Sequence, residues 1–212
     1  MLRVDGKPYD YDRVFELGSP PDYEPPLERS IEQIARRSGR SAVEAAYDLM
    51  LQDEGRALLL APFANYAYGS LDHCAEQLSH PQALFGLGDG GAHVASICDA
   101  SFTTTLLGYW GRHRAAGRLP LPLLVNLLTA RNAAAVGLHD RGALAAGMKA
   151  DINVIDLDSL APQVPEVRRD LPAGGRRFVQ GASGYDVTVV SGCVTYRQGV
   201  ATGALPGRLV RA

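Results

Sequence analysis

Cysteine is scarce in this sequence, which has three such residues among 212, at Cys74, Cys98 and Cys193. They form no Cys-x-x-Cys pair and are odd in number, which argues against a disulfide framework. We expect reduced thiols that pack as small apolar side chains. No apolar run approaches the roughly 20 residues of a membrane span, and the N-terminus carries no apolar signal segment. These absences predict a cytoplasmic protein with no membrane partner.

The sequence also lacks any concentration of charge of one sign. Lys and Arg number 21, Asp and Glu number 23, and the formal net charge is -2. The basic residues form no long runs, so the electrostatic footprint of a nucleic-acid-binding protein is missing. We therefore expect a small molecule or another protein as the partner, and no nucleic acid.

Proline is abundant near the start of the chain. Residues 1–28 are polar and rich in Pro and Tyr. Proline lacks an amide donor and restricts the residue before it, so this segment cannot form a helix or a central strand. We predict that residues 1–28 form an extended segment laid over the rest of the fold.

Two helix starts follow this segment. Ser30 is followed by Gln33, and Ser41 by Glu44, at the spacing of a capping box, while Gly39 can end the first helix. Apolar residues in the second helix recur at i, i+3, i+4, i+7 and i+8, which predicts one buried face. That face consists of Val43, Ala46, Tyr47, Met50 and Leu51.

Two short apolar runs, residues 56–63 and 83–87, have the composition of strands buried on both faces, as in a parallel sheet. A helix predicted at about residues 71–78 lies between them. The order strand, helix, strand is typical of α/β proteins. Further helices are predicted at about residues 102–115, 121–129 and 132–136.

The character of the sequence changes near residue 139, where helical spacing gives way to short β-prone runs. Two of these runs flank Ser191-Gly192, which is a plausible two-residue hairpin turn. We therefore divide the chain into the extended segment 1–28, an α/β part at residues 29–138 and a small β-domain at residues 139–212.

The chemistry of the sequence centres on Asp89, which lies in a glycine-rich stretch directly after the second apolar run. An acidic residue at the carboxyl end of a buried strand stands where α/β barrels place catalytic groups. A carboxylate there could take a proton from a metal-bound water and return it to a leaving amine. The alternative is a turn in which Asp89 only caps the next helix. His93 could contact a substrate or be structural.

The stretch around Asp89 resembles the eighth strand and following helix of D-aminoacylase-type amidohydrolases. The matching residues are His80-Pro81, Gly88-Asp89-Gly90-Gly91-Ala92-His93-Val94, Cys98-Asp99-Ala100-Ser101, Trp110 and Arg114. A second run is similar to the tail of the wider superfamily. It comprises residues 128–138, Asp140-Arg141-Gly142 and Gly147-Met148-Lys149-Ala150-Asp151-Ile152. Residues 20–25, 46–49 and 190–208 are also similar to this subfamily.

This resemblance implies an α/β fold, with the last two strands and helices of a (β/α)8 TIM-like barrel followed by a small β-sandwich segment. The family hydrolyses the amide bond of N-acyl-D-amino acids or related amides and holds one or two divalent metal ions, usually zinc. Asp89 matches the family aspartate that acts as general base and then general acid, and it is also a possible metal ligand. His93 is a candidate substrate-binding residue.

The sequence departs from the family at the metal site, because it contains no His-x-His pair. None of its histidines matches a family ligand by position; they are His73, His80, His93, His113 and His139. We expect His73 and His113 to be surface residues of helices, and Asp99 and Arg114 to be helix-end or ion-pair residues. The metal ligands, apart from possibly Asp89, are therefore expected outside this sequence.

Three functional hypotheses follow. The first is a hydrolase fragment that is inactive alone and is completed by a separate N-terminal chain carrying the metal ligands. The second is a non-catalytic remnant or oligomerising module. The third is another amidohydrolase, such as a dihydropyrimidinase-like enzyme. The segments at residues 20–25 and 98–101 favour the D-aminoacylase branch.

Overall fold

The computed structural model describes residues 3–4, 7–8, 10–62, 64–66, 68–86, 94–95, 98 and 100–210. The chain divides into two compact units, Met1–Cys74 and Ala75–Ala212. The boundaries at residues 28 and 138 rest on composition alone and stay predictions.

The N-terminal unit begins with short elements. Strands β1 (Arg3–Val4) and β2 (Lys7–Pro8) pair antiparallel, and a 3-10 turn at Tyr11–Arg13 leads to β3 (Phe15–Glu16). A second 3-10 turn, Leu27–Arg29, precedes the first helix. Val14 and Phe15 are almost fully buried, so the proline-rich segment contributes side chains to the core of this unit.

Helices α1 (Ile31–Ser38) and α2 (Ala42–Gly55) begin where the sequence predicts. The Ser30 hydroxyl accepts a hydrogen bond from the Gln33 amide, and Gly39 ends α1 in the left-handed conformation. Ser41 and Glu44 form a reciprocal capping box at the start of α2. Both helix starts are therefore confirmed, because each depends on residues within one turn.

The predicted buried face of α2 is correct at Ala46 and wrong at Val43, Tyr47 and Leu51. Val43, Tyr47 and Leu51 are 45%, 59% and 55% exposed, whereas Ala45 and Ala46 are buried. In the core of this unit, small side chains of α2 pack against α1 and against the N-terminal segment. Its buried members are Tyr11, Val14, Ile31, Ala35, Ala45 and Ala46. Alanine lets the two helices approach closely, and this packing overrides the larger apolar residues of the neighbouring stripe.

The two predicted parallel strands differ from what the structure contains. Within residues 56–62 the structure contains only β4 (Leu59–Leu60), which is half-buried and pairs antiparallel with β3; the rest of the predicted strand, residue 63, lies outside the described residues. Residues 83–86 are irregular, and Leu87 lies outside the described residues. Carbonyl groups between residues 80 and 85 accept hydrogen bonds from side chains, not from a neighbouring strand. Every strand pairing in the described ranges is antiparallel. The TIM-like barrel therefore stays a prediction.

The remaining helices agree with the sequence. Helix α3 (Asp72–Ser79) spans the division between the units, and α4 (Phe102–Thr105) continues into a π-helix, Leu106–His113. Helices α5 (Leu121–Leu128) and α6 (Ala130–Ala135) follow. Gly108 of the π-helix lies against Leu160, because a Cβ at position 108 would stand 2.9 Å from the Leu160 carbonyl oxygen.

After α6 the chain is built from short strands. They are β5 (Ile152–Ile155), β6 (Ala161–Pro162), β7 (Glu166–Leu171), β8 (Gly175–Val179), β9 (Ala182–Ser183), β10 (Tyr185–Val190), β11 (Cys193–Arg197) and β12 (Val200–Ala201). The order β12-β11-β10-β5 forms one antiparallel sheet, while β6 pairs with β9 and β7 with β8. Ser191 and Gly192 both have positive φ in the β10–β11 turn, which confirms the predicted hairpin. The β-sandwich stays a prediction.

Candidate functional site

The predicted site residues Asp89 and His93 lie outside the described residues, as does Asp99. Their roles therefore stay predictions. The structure does describe the chain on either side of residues 87–93, up to Gly86 and again from Val94. The contacts that hold these two flanks in place therefore define the candidate site.

The upstream flank is held by two adjacent residues of α6. Arg131 Nη1 donates to the backbone carbonyl oxygens of His80 at 3.2 Å and Ala83 at 3.4 Å. Asn132 Nδ2 donates to the carbonyl oxygen of Phe85 at 2.5 Å. The His80 carbonyl also accepts from the Ala83 amide at 3.0 Å, so Arg131 adds a second donor there, while Asn132 supplies a donor to the Phe85 carbonyl. The segment leading to Gly86 is therefore fixed by a helix some fifty positions later in the chain.

The downstream flank is held by β8 and the residue after it. The Phe178 amide donates to the Val94 carbonyl oxygen at 2.7 Å. The Cys98 thiol donates to Gln180 Oε1 at 3.7 Å, a normal separation for sulfur. The small β part of the chain therefore contacts the region that follows His93 directly.

An open cleft of about 830 Å³ lies beside the upstream flank. Apolar side chains of Leu84, Phe85 and Leu138 form part of its lining, together with Asn132 and Arg141. Asn132 Oδ1 is buried and accepts no hydrogen bond from any residue within the described ranges. The cleft has the size and mainly apolar character of small-molecule sites, with few polar groups.

Two short motifs that follow α6, residues 140–142 and 147–152 (together the tail motif), form an ion-pair cluster at the edge of this cleft. Arg141 binds Asp140 through two hydrogen bonds of 2.8 and 3.0 Å, and its Nη1 lies 3.6 Å from Asp151 Oδ2. Lys149 donates to the Asp151 carboxylate, and the Ser191 amide donates to it at 2.8 Å. The motif thereby ties the end of the helical part to the β10–β11 turn.

These contacts change the acidity of both carboxyl groups. The hydrogen bond from Lys149 lowers the pKa of Asp151, and the Ser191 amide adds to this effect while partial desolvation opposes it. The hydrogen bond from Arg141 lowers the pKa of Asp140. Both carboxylates are therefore charged at neutral pH and act as structural anions.

A buried arginine marks the end of the π-helix. Arg114 is 6% exposed, and its guanidinium carbon lies 4.6 Å from the centroid of the Trp110 ring. Its Nη1 also donates to the Gly117 carbonyl oxygen at 3.4 Å. The expected helix-end position of Arg114 is confirmed. Its stacking on Trp110 is a packing contact that the sequence did not predict.

The histidines form no metal centre in the part of the chain that the structure describes. No group of three or more His, Cys, Asp or Glu side chains could hold a metal ion there. His73 lies in α3 as predicted and is half-buried, with its Nε2 3.6 Å from the Cys74 thiol. His113 is exposed as expected, and His80 and His139 are also exposed. The described residues thus do not fit the metal that the resemblance implies.

The sequence assigned no role to Arg131, Asn132, Phe178 or Gln180, although Arg131 and Asn132 lie within residues 128–138, the run that resembles the superfamily tail. The available signal was weak: an Arg-Asn pair interrupts the alanine-rich sequence of α6. Buried polar side chains in such a helix need hydrogen-bond acceptors outside the helix, but only the folded structure shows which groups those are.

Comparisons with known proteins place this geometry in context. A family model described as the amidohydrolase family matches residues 11–196. A solved D-aminoacylase variant in complex with copper chloride is 21% identical, with a TM-score of 0.51, and the match covers 87% of this chain and 35% of that one. Two further D-aminoacylase structures are 22% identical, with TM-scores of 0.50, and cover 83% of this chain and 33% of theirs.

One of these structures concerns a binuclear metal centre in D-aminoacylase, and another is described as defining a novel subset of amidohydrolases. This chain spans about a third of the length of the solved structures it matches. The comparison with curated proteins gave no match. None of the helices in the described ranges is long and apolar enough to cross a membrane.

Proposed function

Because this chain belongs to the amidohydrolase family, we propose that it forms the C-terminal portion of a metal-dependent hydrolase that cleaves the amide bond of N-acyl-D-amino acids or related amides. The observation that carries this proposal is the match in fold to D-aminoacylase over 87% of the chain. The barrel is completed by a separate N-terminal chain, and this chain alone is inactive.

Asp89 is the general base and general acid in this proposal. Its carboxylate takes a proton from the attacking water, whose oxygen bonds to the acyl carbon. When the C–N bond breaks, Asp89 returns that proton to the amine nitrogen, so that a carboxylic acid and an amine leave. The glycine-rich sequence around Asp89 supports this role, because glycines leave room for a substrate beside the carboxylate. His93 is the proposed substrate contact.

A divalent metal, with zinc as the first candidate, would polarise the substrate carbonyl when bound. The described residues offer no metal cluster, so the ligands are proposed to come from outside them. We place the enzyme in the cytoplasm, in keeping with the cysteines: Cys74, Cys98 and Cys193, all within the described ranges, form no disulfide.

The proposal is tested by assaying the full chain alone and together with the polypeptide encoded immediately upstream. N-acetyl-D-amino acids and their L-enantiomers serve as substrates, with zinc present, and release of free amine is measured. We expect turnover of the D series only in the combination. Asp89→Asn should lower that turnover by at least about a hundredfold, the scale of a lost general base.

The matched control is Asp186→Asn, an exposed aspartate of β10 that forms no ion pair with any described residue. This variant should retain normal turnover. Absence of turnover in the combination would contradict the hydrolase proposal and favour a non-catalytic remnant. Normal turnover by Asp89→Asn would remove Asp89 from the mechanism.

A further inference from the structure

Two side chains of α6 meet one stretch of backbone at three carbonyl groups. Arg131 binds the carbonyls of His80 and Ala83, and Asn132 binds that of Phe85. The three acceptors lie within six consecutive residues, and the last of them is four positions before Asp89. A single helix therefore sets the path of the backbone as it enters the proposed catalytic segment.

The donors suit this purpose chemically. The guanidinium of Arg131 is planar and permanently charged, so one of its nitrogens can serve two carbonyl oxygens at a fixed separation. The Asn132 amide is a short donor with little rotational freedom, and its hydrogen bond ties the Phe85 carbonyl to α6. Neither donor is replaceable by an apolar residue without leaving backbone carbonyls unpaired.

Helix α6 is itself held in place by the tail motif. A Cβ on Gly142 would stand 2.8 Å from Cα of Ala130, the first residue of α6, so the backbone at position 142 lies directly against the helix. Arg141 and Asp151 join this contact to the sheet, through the Ser191 amide. The β10–β11 turn therefore contacts the tail motif, the tail motif packs against α6, and α6 in turn binds the backbone of residues 80–85.

We propose that Arg131 and Asn132 are positioning residues that orient the chain carrying Asp89. This inference rests on the proposed function and deepens it by naming which residues place the base. Neither side chain is proposed to contact substrate. Their effect passes through the backbone of residues 80–86, with the Phe178–Val94 hydrogen bond holding the other flank.

The test is residue-resolved amide hydrogen exchange on the full chain, without metal or substrate. Asn132→Asp keeps the size of the side chain but replaces the donor with an acceptor facing the Phe85 carbonyl. Loss of this hydrogen bond should speed exchange at residues 84–95 by about five- to thirtyfold. Exchange in α5 and the thermal midpoint should stay close to those of the wild type.

Asn126→Asp is the matched control, because it makes the same change in the neighbouring helix α5 and no described residue bonds its side chain. It should leave exchange at residues 84–95 unchanged. Arg131→Met is the second variant, in case Asn132→Asp lowers the thermal midpoint; it should speed exchange from residue 80 onward. Arg131→Lys keeps the charge and should retain part of the protection that Arg131→Met loses.

Unchanged exchange at residues 84–95 in both variants would overturn the inference, whatever the activity of the protein. Faster exchange confined to α5 and α6, with a lower thermal midpoint, would also overturn it, because that pattern indicates a purely structural role. Failure of the proposed function would appear elsewhere, as normal turnover by Asp89→Asn, and would leave the exchange result standing.

Discussion

The guanidinium of Arg114 stacks on the indole ring of Trp110, with its central carbon 4.6 Å from the ring centroid. The charge is buried at the end of the π-helix, where Nη1 also reaches the Gly117 carbonyl. The planar cation can lie over the ring face and donate in its own plane at the same time.

Arg114→Lys should therefore destabilise the protein by about 1–3 kcal/mol, because an ammonium cannot reproduce both contacts within a buried site. The measurement is the free energy of unfolding from urea titration. Arg118→Lys is the matched control, since Arg118 is exposed and donates only to the Arg112 carbonyl among the described residues. Equal losses in the two variants would refute the importance of the stacked contact.

Gly142→Ala should be more damaging than Gly147→Ala. Both positions have positive φ, at 91° and 87°, so both substitutions carry backbone strain. Only at position 142 would the new Cβ also meet backbone, 2.8 Å from Cα of Ala130, whereas nothing lies within 4 Å at position 147. We expect a loss of about 1 kcal/mol at position 147 and at least about 2 kcal/mol at position 142. Similar unfolding midpoints for the two variants would contradict the close packing against α6.

The stability of the protein should fall in acid partly through Asp140 and Asp151. Their folded pKa values lie below the unfolded value of about 3.9, so the folded state binds fewer protons than the unfolded state near that pH. This contribution is complete above the unfolded pKa and is lost as pH falls through the folded pKa. It should therefore be present at neutral pH and disappear below about pH 4.

The check compares Asp151→Asn with the wild type in urea titrations from pH 7 to pH 3. The difference in unfolding free energy should be largest at neutral pH and shrink towards zero in acid. Asp186→Asn, which breaks no described ion pair, should follow the wild type throughout. A difference that stays constant with pH would show that Asp151 contributes by shape and not by charge.

Zinc should find no tight site on the chain alone. The described residues contain no suitable cluster, and the sequence contains no His-x-His pair. Isothermal titration should show no stoichiometric binding with Kd below about 1 µM. The same titration in guanidinium measures binding to unfolded thiols and imidazoles and serves as the baseline. One zinc ion bound per folded chain, and lost in Asp89→Asn, would place the metal on this chain after all.

The elements that could be predicted from sequence are those whose cause is local. The Ser41–Glu44 capping box and the Ser191-Gly192 turn each involve residues within four positions, so their chemistry is visible in the sequence. The β7–β8 hairpin escaped notice because its strands are charged. It depends on cross-strand pairs such as Asp170 with Arg177, which exist only after the strands meet.

The candidate site divides in the same way. The importance of Asp89 follows from its neighbours in sequence and from resemblance, and its role stays a prediction because it lies outside the described residues. The contacts of Arg131 and Asn132 join residues about fifty positions apart. No pattern in one sequence identifies such partners, because the choice depends on how α6 packs in the folded chain.

The contact between Gly108 and Leu160 bears on how this protein can change over evolutionary time. A single added methyl group at position 108 would reach the Leu160 carbonyl at 2.9 Å and push apart the π-helix and the connection into β6. This contact fixes the distance between the helical half and the stranded half of the C-terminal unit. Replacing either half with that of a distant homologue therefore requires both a glycine at position 108 and a matching loop at position 160. Recombination within this unit should succeed only where both sides of this contact come from the same parent.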